Sequence, residues 1–492
     1  MRHHFWSILV TISLLITTGA WAQEPVDRDM IAKIKDEGLN HSQVEETFTH
    51  FTEDIGPRLT GSPAHKRAAE WSRDRLTNWG LSDAHLEPFE FGRGWTMDKL
   101  TVEMVSPRYL PLSGFAEAWS PSMRRAVVAS PVFIGDKNEQ AIQKMQAKLK
   151  GAIVLSQPVQ TVFERADRPQ PTLSDKPVAI GQPRRNAPPP LVNRQTMTRL
   201  LSQARPAVVL RPNFGEHGTL FVLGVTNREA TVPSIVLSSE HYNLIARMIQ
   251  RGIPVKLRVN LKTRFLTRDK NSYNVIAELP GADPVLRDQV VMIGAHLDSW
   301  HAGTGATDNA DGSAVVMEAL RILKAIGARP KRTIRMALWS GEEEGLLGSK
   351  AYVASHLTGD ANKAMREKFD VYFNLDPGTG PIYGWYLENN EAARPIFDAW
   401  LNQFHDVAAR KNIIQPIGNT DHLSFIAVGI PGFNAVQDYT NYDVRTHHTN
   451  VDTFERVNLK ELRQCAVVIA SFAYLAAMRT EKIPFTASTP AP

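Results

Sequence analysis

Between residues 263 and 480 the chain repeats one pattern: a short apolar run, a polar loop, then a helix-like stretch. QVVMIGAHL, TIRMALWS and FDVYFNLD are the apolar runs, and GSAVVMEALRILKAIG and GLLGSKAYVASHL are helical segments between them. In the first helix Val316, Leu320 and Leu323 recur on one face. Unbroken apolar runs belong to strands covered on both sides, and strands alternating with helices build a mainly parallel sheet clothed by helices on both faces. The expected fold class is therefore α/β with a mainly parallel mixed sheet. The last helix opens at Asn458 with Glu461 three residues on, a capping box, and carries Leu462, Ile469 and Phe472 inward.

The rest of the chain has other textures. Residues 28 to 80 read as polar helix, one helix starting near Ser62-Pro63 and stopping at Gly80. From about 100 to 262, short β-like runs (GAIVLSQ, PAVVLRP, VPSIVLSS) alternate with short helical ones, which reads as a separate β-rich α/β unit. Within it RPQPTLSDKPVAIGQPRRNAPPP, with seven prolines, fits neither a central strand nor a helix interior and reads as a long surface loop. The expected division is 1–22, 23–105, 106–262, 263–482 and a disordered tail over 483–492.

The first 22 residues carry Arg2, an apolar stretch from Phe5 to about Ile16 and the small-x-small pattern Ala20-Trp21-Ala22. This reads as a cleaved secretory signal, too short to span a bilayer comfortably, and no other stretch reads as a membrane span. Export to a periplasm or the medium is expected, with no stable membrane anchoring. Cys465, the single cysteine, excludes an intramolecular disulfide and reads as a buried small hydrophobe. A net charge of +5 over 492 residues, without any basic run, gives no case for nucleic acid.

Polar residues collect where the apolar runs stop. VVMIGA ends in His296-Leu297-Asp298, MALWSG in Glu342-Glu343-Glu344, and VYFNL in Asp376. GATDNADG, with Asp308 and Asp311, precedes one helix, and His447, His448 and Asp452 precede the last. In open α/β sheets the site lies beyond the carboxyl ends of the strands. Three adjacent glutamates repel one another and call for a cation. Mixed imidazole and carboxylate donors suit zinc or another borderline divalent metal. Two such ions about 3.5–4 Å apart would need a bridging carboxylate. No His-Glu-x-x-His helix, Gly-x-Ser-x-Gly elbow or phosphate-binding glycine loop is present, and the calcium-like DNADG stretch has Ala310 at its third position.

Taken together, HLDSWHAGTGATDNADGSA, WSGEEEGLLGS, NLD and HHTNVDT resemble the co-catalytic di-zinc exopeptidases that include secreted bacterial aminopeptidases and carboxypeptidase Q. TDHLSFIAVGIPGFNAVQDYTNYDVRTHHTNVDTF looks most like the carboxypeptidase Q branch, and residues 106–262 sit where such peptidases insert a protease-associated domain. The resemblance implies two Zn²⁺ ions held by His296, Asp308, Glu343, Asp376 and His448, with Asp308 bridging and the Asp308–Asn309 bond cis. It makes Glu342 the general base and Asp298 the acid that orients His296. Glu344 departs from the family pattern and reads as a solvated neighbour; His447 is the competitor to His448.

The implied reaction is hydrolysis of short peptides by an activated water. Aminopeptidase and carboxypeptidase action both stay open; Arg445, Tyr439 and Tyr442 are candidates for binding a substrate terminus or packing the loop. A homodimer is compatible with these features. Two rival readings remain: a single-zinc glutaminyl cyclase-like enzyme, and a non-enzymatic receptor or binding protein on the same fold.

Overall fold

The computed structural model describes residues 24–170, 189–225, 228 and 230–485. The signal reading, the centre of the proline-rich loop and the end of the tail fall outside these residues.

One sheet organises the strand–loop–helix pattern of the C-terminal half, joined by one strand from the N-terminal region. Its strands, in chain order, are β1 (Ser82–Glu90), β2 (Asn271–Leu279), β3 (Val290–His296), β4 (Thr333–Trp339), β5 (Phe369–Asn374), β6 (Thr379–Tyr386) and β7 (Gly432–Asp438). In space they run β1-β2-β4-β3-β5-β7-β6. The four central strands β4, β3, β5 and β7 pair in parallel, and antiparallel partners flank them on both sides. The mainly parallel mixed sheet expected from the sequence is thus present.

Period-two side-chain alternation sends each central strand into two cores. Val291, Ile293 and Ala295 of β3 join Ile334, Met336 and Leu338 of β4 on one face, beneath helices Arg28–Asn40, Asp311–Ala325 and Leu459–Met478. Val290 and Met292 join Ala337 and Trp339 on the other, with Tyr352 and Phe425. Helix Asp311–Ala325 is buried almost all round, because it lies between the sheet and two outer helices. Asn458 caps Leu459–Met478 by accepting from the Lys460 N–H, and Cys465 is buried in that helix. Contrary to the expectation that nothing beyond the N-terminus reads as a span, Leu459–Met478 is long and apolar enough to cross a membrane, but 83% of its apolar window is packed inside the protein.

The middle region builds its own sheets and core. A long ribbon, Gly94–Ser106 against Lys256–Leu266, carries the chain out and back. A five-stranded sheet follows in the order Gly114–Ala116, Ser234–Leu237, Val208–Pro212, Ile153–Leu155, Val132–Phe133. Leu155, Leu210, Ile235 and Leu237 pack there with Leu257, Val259 and Leu261 of the ribbon.

Candidate metal centre

Because β4, β3, β5 and β7 run parallel and side by side, their carboxyl ends share one edge of the sheet. His296 is the last residue of β3. Asp376 follows β5, and Glu342 and Glu343 follow β4 after Gly341, whose φ of +72° turns the chain where a side chain would be strained. Asp308 occupies the turn entering helix Asp311–Ala325, with a cis Asp308–Asn309 bond. His448, itself at φ +63°, sits in the loop after β7.

These distant positions converge. His296 Nε2 lies 3.1 Å from Asp308 Oδ1 and 3.8 Å from Asp376 Oδ1. His448 Nε2 lies 2.9 Å from Glu343 Oε2 and 3.3 Å from Asp308 Oδ2. Asp308 therefore faces both imidazoles, one with each oxygen. Among the described residues, the donor atoms gather in two groups, His296-Asp308-Asp376 and Asp308-His447-His448, sharing only Asp308. His447 is the more distant of the paired histidines, 4.0 Å from Asp308 Oδ2, and its ring stacks on Tyr442.

Most of the centre is buried, His448 alone standing about a quarter exposed (26%) at the cleft, and its charges are crowded. Burial and the neighbouring Asp376, Asp421 and Glu343 push the Glu342 carboxyl well above the usual range, against the pull of His296. Glu343 is raised by burial and by Asp308. Burial opposes a charged His296, but Glu342, Asp298, Asp308 and Asp376 outweigh it and raise the imidazole well above its ordinary value. His296 Nε2, Asp308 Oδ2 and Glu343 Oε1 are buried without a hydrogen-bond partner. Such orphaned atoms cost about 1–3 kcal/mol each, and a divalent cation among them would remove that cost. Imidazole with carboxylate oxygen is a donor set that fits zinc.

Asp298 acts differently from a simple acid–imidazole pair. The Asp298 backbone carbonyl accepts from His296 Nδ1 at 3.0 Å, while its carboxylate stands 3.6 Å away. That carboxylate accepts from Thr60 Oγ1 at 2.8 Å and from the Glu342 and Glu343 N–H groups at 3.3 Å each. It thereby sets the glutamate turn against the histidine strand. Behind this sits Arg58, fully buried, a residue the sequence reading passed over. Its guanidinium donates to the carbonyls of Leu297, Thr304 and Gly305 at 2.8, 2.8 and 2.9 Å, and more weakly to Phe51 and Gly56. One side chain so ties together the loop after β3 and the loop before Asp308. Gly-Pro-Arg in a turn was the only signal for it.

Other expectations change. Glu344 is not solvated: both its oxygens are buried, and burial with Asp298 nearby pushes the carboxyl up to about 8. The physical reason is that the turn carries it inward beside Thr60, with Arg228 of the middle region supplying a nearby positive charge. Arg445 points to the middle region, donating to Glu216 O at 3.3 Å and Thr219 Oγ1 at 3.1 Å. Tyr439 pairs with Tyr386 at 3.0 Å between hydroxyls. A small cleft at the centre is lined by Trp300, Asp308, Glu343, His448 and Asp452. A crevice of about 480 Å³ between Gly61–Lys66 and Arg264–Tyr273 contains none of the converging donors.

Comparison with known proteins adds independent findings. Residues 274–473 match the sequence profile of peptidase family M28. Carboxypeptidase Q of Bos taurus is 27% identical over 459 residues, spanning 91% of this chain and 88% of the relative. Among solved structures, a peptidase M28 precursor from Shewanella amazonensis SB2B aligns over 93% of this chain and 98% of its own, at 25% identity and a TM-score of 0.69. The fold also matches BSAP, a zinc aminopeptidase from Bacillus subtilis, over 89% and 95% of the two chains, at 19% identity and a TM-score of 0.61.

Proposed function

We propose that this chain, whose residues 274–473 match the peptidase family M28 profile, is a metallo-exopeptidase that hydrolyses short peptides at a centre of two zinc ions. The observation that carries the proposal is Asp308, whose two oxygens face the imidazoles of His296 and His448 at 3.1 and 3.3 Å. His296 and Asp376 would hold one ion, Glu343 and His448 the other, and Asp308 both. Bound there, the ions would supply Lewis acidity, lowering the pKa of a water from nearly 16 to about 7 and polarising the scissile carbonyl.

The chain's own residues handle the proton. Glu342 Oε2 stands 4.0 Å from His296 Nε2, beside the proposed ligands. Its buried carboxylate takes a proton from the attacking water as the new C–O bond forms. It holds that proton and passes it to the amine nitrogen as the C–N bond breaks. General base action of this kind contributes about 10²–10⁴-fold. Asp298 keeps Glu342 in place through its backbone N–H.

Which terminus is recognised follows from substrate tests; the similar proteins include carboxypeptidases and aminopeptidases by name. The middle region, from its insertion point and sheet order, is read as a protease-associated-like unit. The N-terminal apolar stretch ending in Ala20-Trp21-Ala22 supports export to the periplasm or the medium. The cyclase and receptor readings gain no observation of their own.

The deciding experiment is Glu342→Gln with elemental analysis. The variant is expected to keep the wild-type metal content and lose at least 10²-fold in kcat on a dipeptide panel. Wild-type turnover with metal present refutes the base assignment.

A further inference from the structure

The ligand His448 differs from the other proposed ligands in how it is held. His296 ends a strand, and Asp376, Glu343 and Asp308 lie within a few residues of a strand or helix end. His448 instead sits in a long loop in the left-handed region, φ +63°, which disfavours a side chain. A loop in that state needs bonds from outside to stay there. Past the ligand, Asp452 accepts from the Thr304 and Thr307 N–H groups; around His448 itself the outside bonds come from the middle region.

The Val222 N–H donates to the His448 carbonyl at 3.0 Å. Phe221 bridges Thr449 in antiparallel fashion. The Asn450 N–H donates to Leu220 O at 3.1 Å, and the Leu220 N–H donates back to Asn450 Oδ1 at 2.7 Å. Residues 220–222 thus add a short strand to the ligand loop. On the imidazole side, Trp300 meets His448 edge-on at 6.2 Å, and Trp119 of the middle region meets Trp300 at 6.2 Å. Gly224 permits this layer, since a Cβ there would lie 2.6 Å from the Trp119 ring.

The same loop is gripped further back. Asp443 accepts from the Arg168 guanidinium in a buried pair, and Asp167 accepts from the N–H groups of Asn441 and Val444. Arg445 reaches Thr219. The middle region therefore holds the loop at both ends, and residues 220–222 hold it at the ligand itself.

We infer that the middle region is a working part of the metal centre: its segment 220–222, through Asn450, positions His448 to ligate. Asn450 is a positioning residue, acting through His448 and touching no substrate. This inference rests on the two-ion reading above and extends it to a part of the chain that carries no ligand. It also means that loss of the 220–222 contacts weakens the ion held by Glu343 and His448 more than the ion held by His296 and Asp376.

The test is zinc titration of the full chain against a chromophoric chelator, comparing wild type with Asn450→Ala. Asn450 is only partly buried, so the variant is expected to fold, as its circular dichroism will report. Counting ions in the wild type tests the two-ion reading by itself. The inference predicts that Asn450→Ala weakens one ion by about 10–100-fold, as loss of an outer partner of a ligand does, and leaves the other within twofold. Asp376→Ala, measured alongside, identifies the other ion by weakening the opposite step. The cobalt(II)-loaded variant should show an altered absorption band for the weakened site alone. Equal weakening of both ions, or of neither, overturns the inference. If the wild type binds a single ion, the two-ion reading falls, and the inference then stands or falls on whether Asn450→Ala weakens that one ion tenfold. Should Asn450→Ala not fold, Arg445→Met, which removes a different bond to the middle region, is read by the same criteria.

Discussion

Replacing Arg58 by Met should be among the most damaging single changes outside the ligand set. The side chain is fully buried, and its three shortest bonds go to carbonyls of Leu297, Thr304 and Gly305. Hydrogen bonds from a charged donor contribute about 1.5–3 kcal/mol each, so these three sum to about 5–9 kcal/mol before relaxation. Water entry and loop adjustment recover part of this, and breaking one buried charge network usually costs about 3–5 kcal/mol. Burial lowers the Arg58 pKa to about 10, with Asp452, Asp298, Asp308 and Asp311 supporting the charge, so the guanidinium is still cationic at neutral pH. Its removal leaves those acids without their buried counter-charge. We expect Arg58→Met to lose about 3–5 kcal/mol in urea denaturation at saturating zinc. Arg58→Lys should lose nearly as much, because an ammonium cannot reach carbonyls on both loops with one fork. A loss below about 1 kcal/mol in Arg58→Met, the size of an ordinary surface change, would refute the account.

His65 should confer acid sensitivity. It is buried on the first turn of helix Pro63–Asn78, and burial lowers its pKa to about 4. Between pH 6.5 and 4 the unfolded chain binds the proton that the folded chain refuses, so this contribution is complete above 6.5 and fades as pH falls. At pH 5 the difference amounts to about 2 kcal/mol, and denaturation of His65→Gln at pH 5 and 7.5 should show a slope shallower than wild type by that amount. The buried pair Arg168–Asp443 predicts a loss of about 3–5 kcal/mol in Arg168→Met, with at least half restored in the double variant that also carries Asp443→Asn. A double variant no more stable than Arg168→Met would show that the charge left on Asp443 is not the cost.

Much of the catalytic half was legible because its signals are local. Strands β3, β4 and β5 are largely apolar runs with their polar endings written directly after them, so His296, Glu342, Glu343 and Asp376 could be placed at one sheet edge from topology alone. Asp298 was legible as a neighbour of His296, but its division of labour was not. Whether the carbonyl or the carboxylate holds the imidazole depends on angles that spacing does not encode. Arg58 was illegible for a different reason: its three shortest bonds go to partners 239 to 247 residues away, backbone carbonyls, which any residue possesses. Glu344 misled because adjacent glutamates usually face water, whereas here the turn places all three at a buried edge.

Under the two-ion reading, the way the proposed ligands are supported sets an order of metal filling. His296, Asp376 and Asp308 are fixed by strands and a helix whose cores exist before any metal arrives. Glu343 is fixed through Asp298, but His448 depends on a loop in a disfavoured backbone state and on bonds from the middle region. A site whose ligands are held in place beforehand loses less entropy on binding than one whose ligand must be ordered. The first equivalent of zinc should therefore go to His296 and Asp376, and the second should be weaker and the one that orders the loop. Stepwise titration of the metal-free protein, with hydrogen exchange read at 441–450, should show protection of that segment rising on the second equivalent. Protection complete after the first equivalent would mean that the loop is set by the fold alone, and that the middle region holds it without help from metal.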